Sequence, residues 1–337
     1  MKHFIYNLQL FAEANLNTNL TTSAGEKNNL SHEMKTYYSD YLIDNAIPKL
    51  VHDQFGQKHP IPKNGGKTIQ FRKYDPLPKL TTALEEGKTP DGQSLNTSII
   101  EATVEQFGGY VTLSDMLLLT AIDNNLVQAT KLLGAQAGAT LDTITREVLN
   151  GGTNAFHSGG KPARSELTSA DVLTVDDIKK AVRWLKAQNA EQINGSWVGI
   201  IHPDVAYDLT NDPAWKDVKT YSDPSDMYEG EIGKLFGVRF VETTEAKKWV
   251  KGKAGNENGK ATVYSTLILG DNAYGVTEIT GGGLEHIVKQ LGSAGTSDPL
   301  NQRATAGWKA TKVAEILVDN YMVRIESGST FDDKIEN

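Results

Sequence analysis

The chain has 337 residues, with 34 Lys and Arg against 42 Asp and Glu, a formal net charge of −8, 39% hydrophobic and 23% charged residues. That length suits two ordinary domains or one elaborate one, and the composition is that of a chain that folds in water. The absence of cysteine excludes disulfides, thiolate metal sites and cysteine nucleophiles. No apolar run approaches the ~20 residues that span a bilayer, so no membrane association is expected. The acidic balance argues against wrapping nucleic acid by neutralising phosphates.

In chain order, residues 1–11 carry Phe4, Leu8 and Phe11, but Asn7 and Gln9 interrupt the apolar run and Glu13 follows it. This reads as a short amphipathic arm rather than a secretory signal. The Asn/Thr-rich stretch from Asn15 to Ser31 can bury little. From Glu33 to Phe55, Tyr38, Leu42, Ile43, Ala46, Leu50 and Val51 recur at helical spacing, with Pro48 as a kink or break.

Lys67 to Tyr74 alternates, with Ile69 and Phe71 between polar residues, and Ile99 to Leu113 gives a second strand-rich stretch. Between them, Leu80 to Ser94 is full of turn residues. Two strands joined by so long and polar a tip predict an extended β-hairpin, and loops of that length are usually functional. From Ser114, a helix cap, Leu118, Ile122, Leu126, Leu133 and Leu141 recur every three or four residues or multiples of these until Gly151-Gly152. A single spine helix of about 55 Å follows at ~1.5 Å per residue.

After Thr174 the pattern alternates. A helix opens at Val175, Trp197 to Ile201 is a buried strand, and a helix restarts at Asp204. Strands follow at Val238–Val241, Thr262–Leu269 and Tyr274–Ile279, with Gly270-Asp271-Asn272 as a turn. This predicts a compact α/β domain of about 115 residues, an ordinary size for one core. Apolar runs between Gly307 and Arg324 suit strands that return to the spine.

Motifs for chemistry are absent. Gly66-Lys67-Thr68 and Gly87-Lys88-Thr89 lack the earlier glycine and the following helix of a phosphate loop. The seven histidines show no metal-ligand spacing, and neither G-x-S-x-G nor a calcium-loop pattern occurs. Lys247-Lys248-Trp249-Val250-Lys251 is read as surface lysines around a packed Trp, and His202, before Pro203, as a local hydrogen-bonding residue. No catalytic, cofactor-binding or metal-binding residues are assigned, and no enzymatic activity is expected.

The arm, hairpin, spine, α/β domain and returning strands, in that order, resemble the HK97-like fold of tailed-bacteriophage major capsid proteins, most closely the phage N4 type. The resemblance runs from about Tyr38 to Glu326. It is carried by Tyr38-Ser-Asp-Tyr-Leu42, Ile47-Pro-Lys-Leu50, Lys67–Tyr74, Leu84-Glu-Glu-Gly87 and Gln106–Asp115. Later in the chain it is carried by Ile201–Val205, Gly230–Phe240, Gly295–Arg303, Gly307-Trp-Lys309 and Met322–Glu326.

The resemblance implies an α+β chain divided into an N-terminal arm (1–55), an E-loop hairpin (56–112), a P-domain with the spine (113–169), an A-domain (170–285) and a return to the P-domain (286–337). It implies subunit contacts through Arg72, Lys73, Tyr74, Leu84, Glu85 and Lys88 of the E-loop, and pentamers and hexamers in an icosahedral shell. Implied partners are a separate scaffolding protein engaging the arm, a portal protein, enclosed double-stranded DNA without sequence-specific contacts, and a decoration protein. No isopeptide cross-link is expected, since Lys79 and Lys88 have no readable acceptor. An encapsulin-like compartment in a bacterial cytoplasm is the alternative, and a soluble α/β enzyme a remote one.

Overall fold

A computed structural model describes residues 16–17, 51–60, 68–74, 77–83, 86–89, 91–120, 125–215, 233–277, 284–293 and 298–331. Phe4, Leu8, Phe11, Leu84, Glu85 and Ile122 lie outside these residues, as do the side chains of Arg72, Lys73, Tyr74 and Leu126. By contacts the chain forms two compact units, one of Met1–Ile47, Gln106–Gly138 and Leu284–Ala310, the other of Pro48–Glu105, Ala139–Gly283 and Thr311–Asn337.

The strands are β1 (Leu16–Asn17), β2 (Gln57–His59), β3 (Thr68–Tyr74), β4 (Thr97–Thr103), β5 (Glu105–Ser114), β6 (Ala155–His157), β7 (Trp197–Ile201) and β8 (Lys234–Leu235). They continue with β9 (Val238–Glu242), β10 (Lys248–Trp249), β11 (Val263–Leu269), β12 (Tyr274–Thr277), β13 (Leu284–Lys289), β14 (Arg303–Lys312), β15 (Ala314–Ile316) and β16 (Met322–Ser327). The helices are α1 (Asp115–Thr120), α2 (Asn125–Asn150), α3 (Val175–Ala187) and α4 (Pro203–Asn211).

The first unit is built on a four-stranded sheet in the order β1-β5-β14-β13. Ser114 starts α1 as expected, its hydroxyl accepting the Leu117 amide at 3.2 Å. The spine is described as α1 and α2, and residues 121–124 between them lie outside the described residues. The α2 helix alone is about 39 Å long at ~1.5 Å per residue. Leu133 and Leu141 are buried along it, and Leu118 of α1 is half-buried.

The second unit holds a seven-stranded sheet, β6-β16-β11-β7-β9-β8, with β10 paired to β11. β7 is buried on both faces, so its side chains divide by period two. Trp197 and Ile201, with Tyr264, Ile268, Val323 and Ile325 of neighbouring strands, pack under α3 and α4. Val198 and Ile200 point the other way, into a core with Leu149, Leu267, Leu269 and Tyr274. α3 is capped by a box: the Thr174 hydroxyl accepts the Asp177 amide at 3.3 Å, and the Asp177 carboxylate accepts the Thr174 amide at 3.4 Å.

Two pairings differ from those the sequence suggests. Gly270-Asp271-Asn272 does not close a hairpin, since β11 and β12 lie in different sheets. The turn's amides are taken by other segments, Gly270 N–H donating to Tyr321 C=O at 2.8 Å and Asp271 N–H to Glu191 C=O at 2.9 Å. The stretch Ile99–Leu113 divides into β4, which pairs with β3, and β5, which joins β14. β16 lies between β6 and β11. Of the helix expected over 33–55, residues 33–50 lie outside the described residues and 51–55 form turns.

Candidate subunit interface

The hairpin combines an anchored root with an exposed tip. β3 and β4 pair antiparallel from Thr68↔Thr103 to Tyr74↔Thr97. Ile69, Phe71 and Ala102 point to one side and are buried against Val313 and Leu317, with Phe71 only 2% exposed. The ring of His59 meets Phe71 edge-on, centroids 4.7 Å apart. Beyond the paired stretch the pattern reverses. Leu77, Leu80 and Leu95 are all exposed, Leu80 by 77% and Leu95 by 69%, and Ile99, near the open end of β4, is exposed as well. Lys88 is exposed at the same end. A root held by core packing and a tip that leaves large apolar side chains in water is the form of an element with a missing partner.

In the first unit, the Gly-Gly of β5 and the Gly-Trp of β14 meet. A Cβ on Gly108 would lie 2.8 Å from the Trp308 carbonyl oxygen, and one on Gly307 would lie 2.9 Å from the Tyr110 side chain. The glycines let the two backbones close up, and the Trp308 indole N–H then donates to the Gln136 side chain on α2 at 3.2 Å. Tyr110, Met116, Leu119 and Leu132 of this unit remain exposed.

Two buried charge clusters brace the second unit. In the first, His52 N–H donates to Asp142 Oδ1 at 2.8 Å and His52 Nδ1 lies 2.7 Å from Asp142 Oδ2. The Thr145 hydroxyl donates to Asp53 Oδ1 at 2.5 Å, Lys312 Nζ pairs with Asp53 Oδ2, and the Tyr274 hydroxyl donates to the His52 carbonyl. Burial pushes the Lys312 amine below its ordinary value, an effect that Asp53 and Asp142 oppose. Burial and the Asp53 charge push the Tyr274 phenol well above its own. The cluster ties residues 51–53 to α2 and to the end of β14.

The second cluster centres on Glu326 of β16. Arg164 grips it with both arms, Nη2 to Oε1 at 2.6 Å and Nε to Oε2 at 2.8 Å, while Arg324 Nε donates to Oε1 at 2.8 Å. His157 Nε2 stands 3.4 Å from Oε2, and the Arg164 guanidinium stacks 3.6 Å from the centroid of the Trp249 ring. Arg324 Nη1 reaches the carbonyls of Asn150 and Gly152, where α2 ends without basic residues of its own. Burial raises the Glu326 carboxyl, but the hydrogen bonds and charge of Arg164, joined by Arg324 and His157, bring it below its ordinary 4.5.

Below 4.5 the unfolded chain therefore takes up a proton that the folded chain refuses. The stability Glu326 contributes is full above that pH and disappears as pH falls through its lowered folded value. In Glu326→Gln, urea midpoints measured from pH 6 to pH 3 should fall less steeply than in the wild type. At pH 7 the variant should be less stable by about 3–5 kcal/mol, because two guanidinium groups lose their carboxylate.

The sequence placed Arg324 and Glu326 in a stretch that carries the resemblance and Trp249 in the lysine run, but it assigned neither cluster. Their members are far apart in the chain, so no spacing links them. One signal was available: Ala304, Ala306, Trp308 and Ala310 are the inward positions of β14, and Lys312 continues that line. His202 caps α4, its Nδ1 accepting the Asp204 amide at 3.2 Å, and Trp249 is packed among Leu167 and Val263. The capping role of His202 is local, as expected, but of the lysines around Trp249 only Lys251 lies at the surface: Lys248 is buried and Lys247 is half-buried on Glu147.

Among the described residues, no group of three or more His, Asp or Glu is placed to hold a metal ion. Among them also, no helix is long and apolar enough to cross a membrane. Apart from His52 Nε2, which is buried without a hydrogen-bond partner among the described residues, the polar side chains of the two clusters engage one another and backbone carbonyls. What the molecule offers to a partner is surface: an anchored, outward hairpin and exposed apolar side chains.

Element order, hairpin and mixed sheets are those of the HK97-like fold. The capsid of cyanophage P-SCSP1u is similar at 13% identity and a TM-score of 0.67, over 95% of this chain and 99% of that one. The capsid of Ralstonia phage GP4 is similar at 14% identity and a TM-score of 0.67, over 94% and 100%. The SrpI encapsulin of Synechococcus elongatus PCC 7942 is similar at 9% identity and a TM-score of 0.55, over 91% and 97%.

At such identities the likeness is one of fold, which capsids and encapsulins share. The sequence separates them. Residues 119–290 match the family model described as phage capsid protein, and the chain belongs to that family. No curated protein matches the sequence. The chain is a structural protein, a major capsid protein of a tailed phage that forms the head shell and resides in the virion capsid.

Proposed function

We infer that this capsid protein is of the phage N4 type and assembles as pentamers and hexamers into a closed icosahedral shell around double-stranded DNA. Residues 56–112 serve as the E-loop that lies across the neighbouring subunit, with Arg72, Lys73, Tyr74, Leu84, Glu85 and Lys88 at the contact. Residues 1–55 are the N-terminal arm, 113–169 and 286–337 the P-domain around the spine side chains Leu118, Ile122, Leu126, Leu133 and Leu141, and 170–285 the A-domain. The observation that carries this reading is the hairpin, buried at Phe71 and exposed at Leu80 and Leu95.

Closed shells repeat heterologous contacts until the rotation closes, and many weak contacts then add by multivalency. A net charge of −8 suits a container that must admit and release DNA without gripping its phosphates. Assembly takes place in the host cytoplasm with a separate scaffolding protein engaging Phe4, Leu8 and Phe11, and a portal protein and a decoration protein are further partners. Electron microscopy of the purified chain, alone and with its scaffold, tests the reading. Closed shells of five- and six-fold capsomers are expected. A monodisperse monomer under both conditions would overturn it.

A further inference from the structure

One side of α3 carries Lys179, Arg183 and Lys186, all exposed. Their spacing of four and three residues puts them on a single helical face. With Val182 and Phe236 they line an open pocket of about 450 Å³. Among the described residues none of the three forms an ion pair, since the adjacent Asp176 and Asp177 engage Lys180 instead. Lys179 Nζ lies 4.8 Å from the Phe236 ring centroid and Lys186 Nζ 5.6 Å from that of Trp197.

Phe236 is itself unusual. It and Gly237 form the tight turn between β8 and β9, with φ of 51° and 83°. Glycine adopts such angles freely, whereas a bulky aromatic does so at a cost. The cost is not recovered by burying the ring, which is 40% exposed beside the cations. A strained residue displayed at a charged pocket is a hypothesis of function.

The same chain carries a complementary sequence. Residues 222–231, Ser-Asp-Pro-Ser-Asp-Met-Tyr-Glu-Gly-Glu, hold four carboxylates and no Lys or Arg, with Met227 and Tyr228 among them. We propose that the cationic face of α3 and the Phe236 ring receive segment 222–231 of a neighbouring copy. The carboxylates would meet Lys179, Arg183 and Lys186, and Met227 or Tyr228 the phenyl ring. A closed shell of identical chains needs two different, mutually complementary patches on each chain, and paired opposite charges fix the register of such a contact. The proposal rests on the shell reading above.

Charge swapping tests it. One variant reverses the face (Lys179→Glu, Arg183→Glu, Lys186→Glu), a second reverses the segment (Asp223→Lys, Asp226→Lys, Glu229→Lys), and a third carries all six changes. Assembled mass is read by sedimentation, and each variant must first show the cooperative thermal unfolding of the wild type. Each single-patch variant should lose at least tenfold in assembled mass. In an equimolar mixture the two should associate with each other, which neither does with itself, since each then finds its opposite on the other chain, and the variant with all six changes should regain assembly alone. Assembly of that variant without association in the mixture would place the segment on its own subunit and overturn the proposal. An unaffected segment variant would do the same, as expected were nucleic acid the occupant, and so would a folded six-fold variant that fails to assemble. If the wild type forms shells and the variants do as well, this inference fails alone; if the wild type forms none, the shell reading fails with it.

Discussion

Deleting residues 80–94 should leave a chain that folds with the stability of the wild type but no longer joins its neighbours. The removed stretch includes Leu80, Lys88 and the turn residues around Gly87 and Gly92, and its described residues are all exposed. The buried part of the hairpin, Ile69, Phe71 and Ala102 against Val313 and Leu317, remains. The thermal midpoint should therefore move by no more than the few degrees expected of a surface change. Assembly should be lost altogether, because the proposed hairpin contact would repeat throughout the shell and fail everywhere at once. Thermal unfolding and negative-stain microscopy on the same sample measure both halves. Normal particles from the deletion variant would remove the hairpin from the interface.

The second large effect concerns Lys312. Its amine is fully buried and paired with Asp53, whose other oxygen accepts from Thr145. Lys312→Met should cost about 3–5 kcal/mol, because Asp53 is left buried with one hydrogen bond and no countercharge. Adding Asp53→Leu should recover much of that loss, since a buried pair replaced by apolar side chains of similar volume is often close to neutral. Urea denaturation of the two single variants and the double closes the cycle, with a coupling well above the ~0.5 kcal/mol that separates independent sites. Costs that simply add would show that the two groups do not act as a pair. The segment 51–53, held to α2 through Asp53 and His52, should open first in Lys312→Met, visible as faster amide exchange there.

Several features could be read directly from local pattern. The alternation of Ile69 and Phe71 between polar neighbours marks β3 because a strand has period two. Thr174 followed by Asp177 before an apolar face marks the start of α3 because both capping bonds are local. Trp197–Ile201 has no polar member because both its faces are covered.

Other features depend on residues far apart in the chain. Which strand pairs with which is decided by backbone groups competing for partners, so Gly270 and Asp271 bond to Tyr321 and Glu191 and no β11–β12 hairpin closes. The Glu326 and Lys312 clusters join residues separated by 162 and 259 positions, distances over which spacing carries no information. The cationic pocket needed α3 and the β8–β9 turn brought side by side, and the left-handed φ of Phe236 is seen only in the folded backbone.

By itself, the sequence determined the main elements, because helix and strand periodicity, caps and turns act over a few residues, and its resemblance to a known family pointed to the class of protein. The tertiary structure decided where the charges are buried, which strands meet and which surfaces stay open. Those outcomes depend on desolvation and on long-range pairing, which exist only once distant segments are in contact.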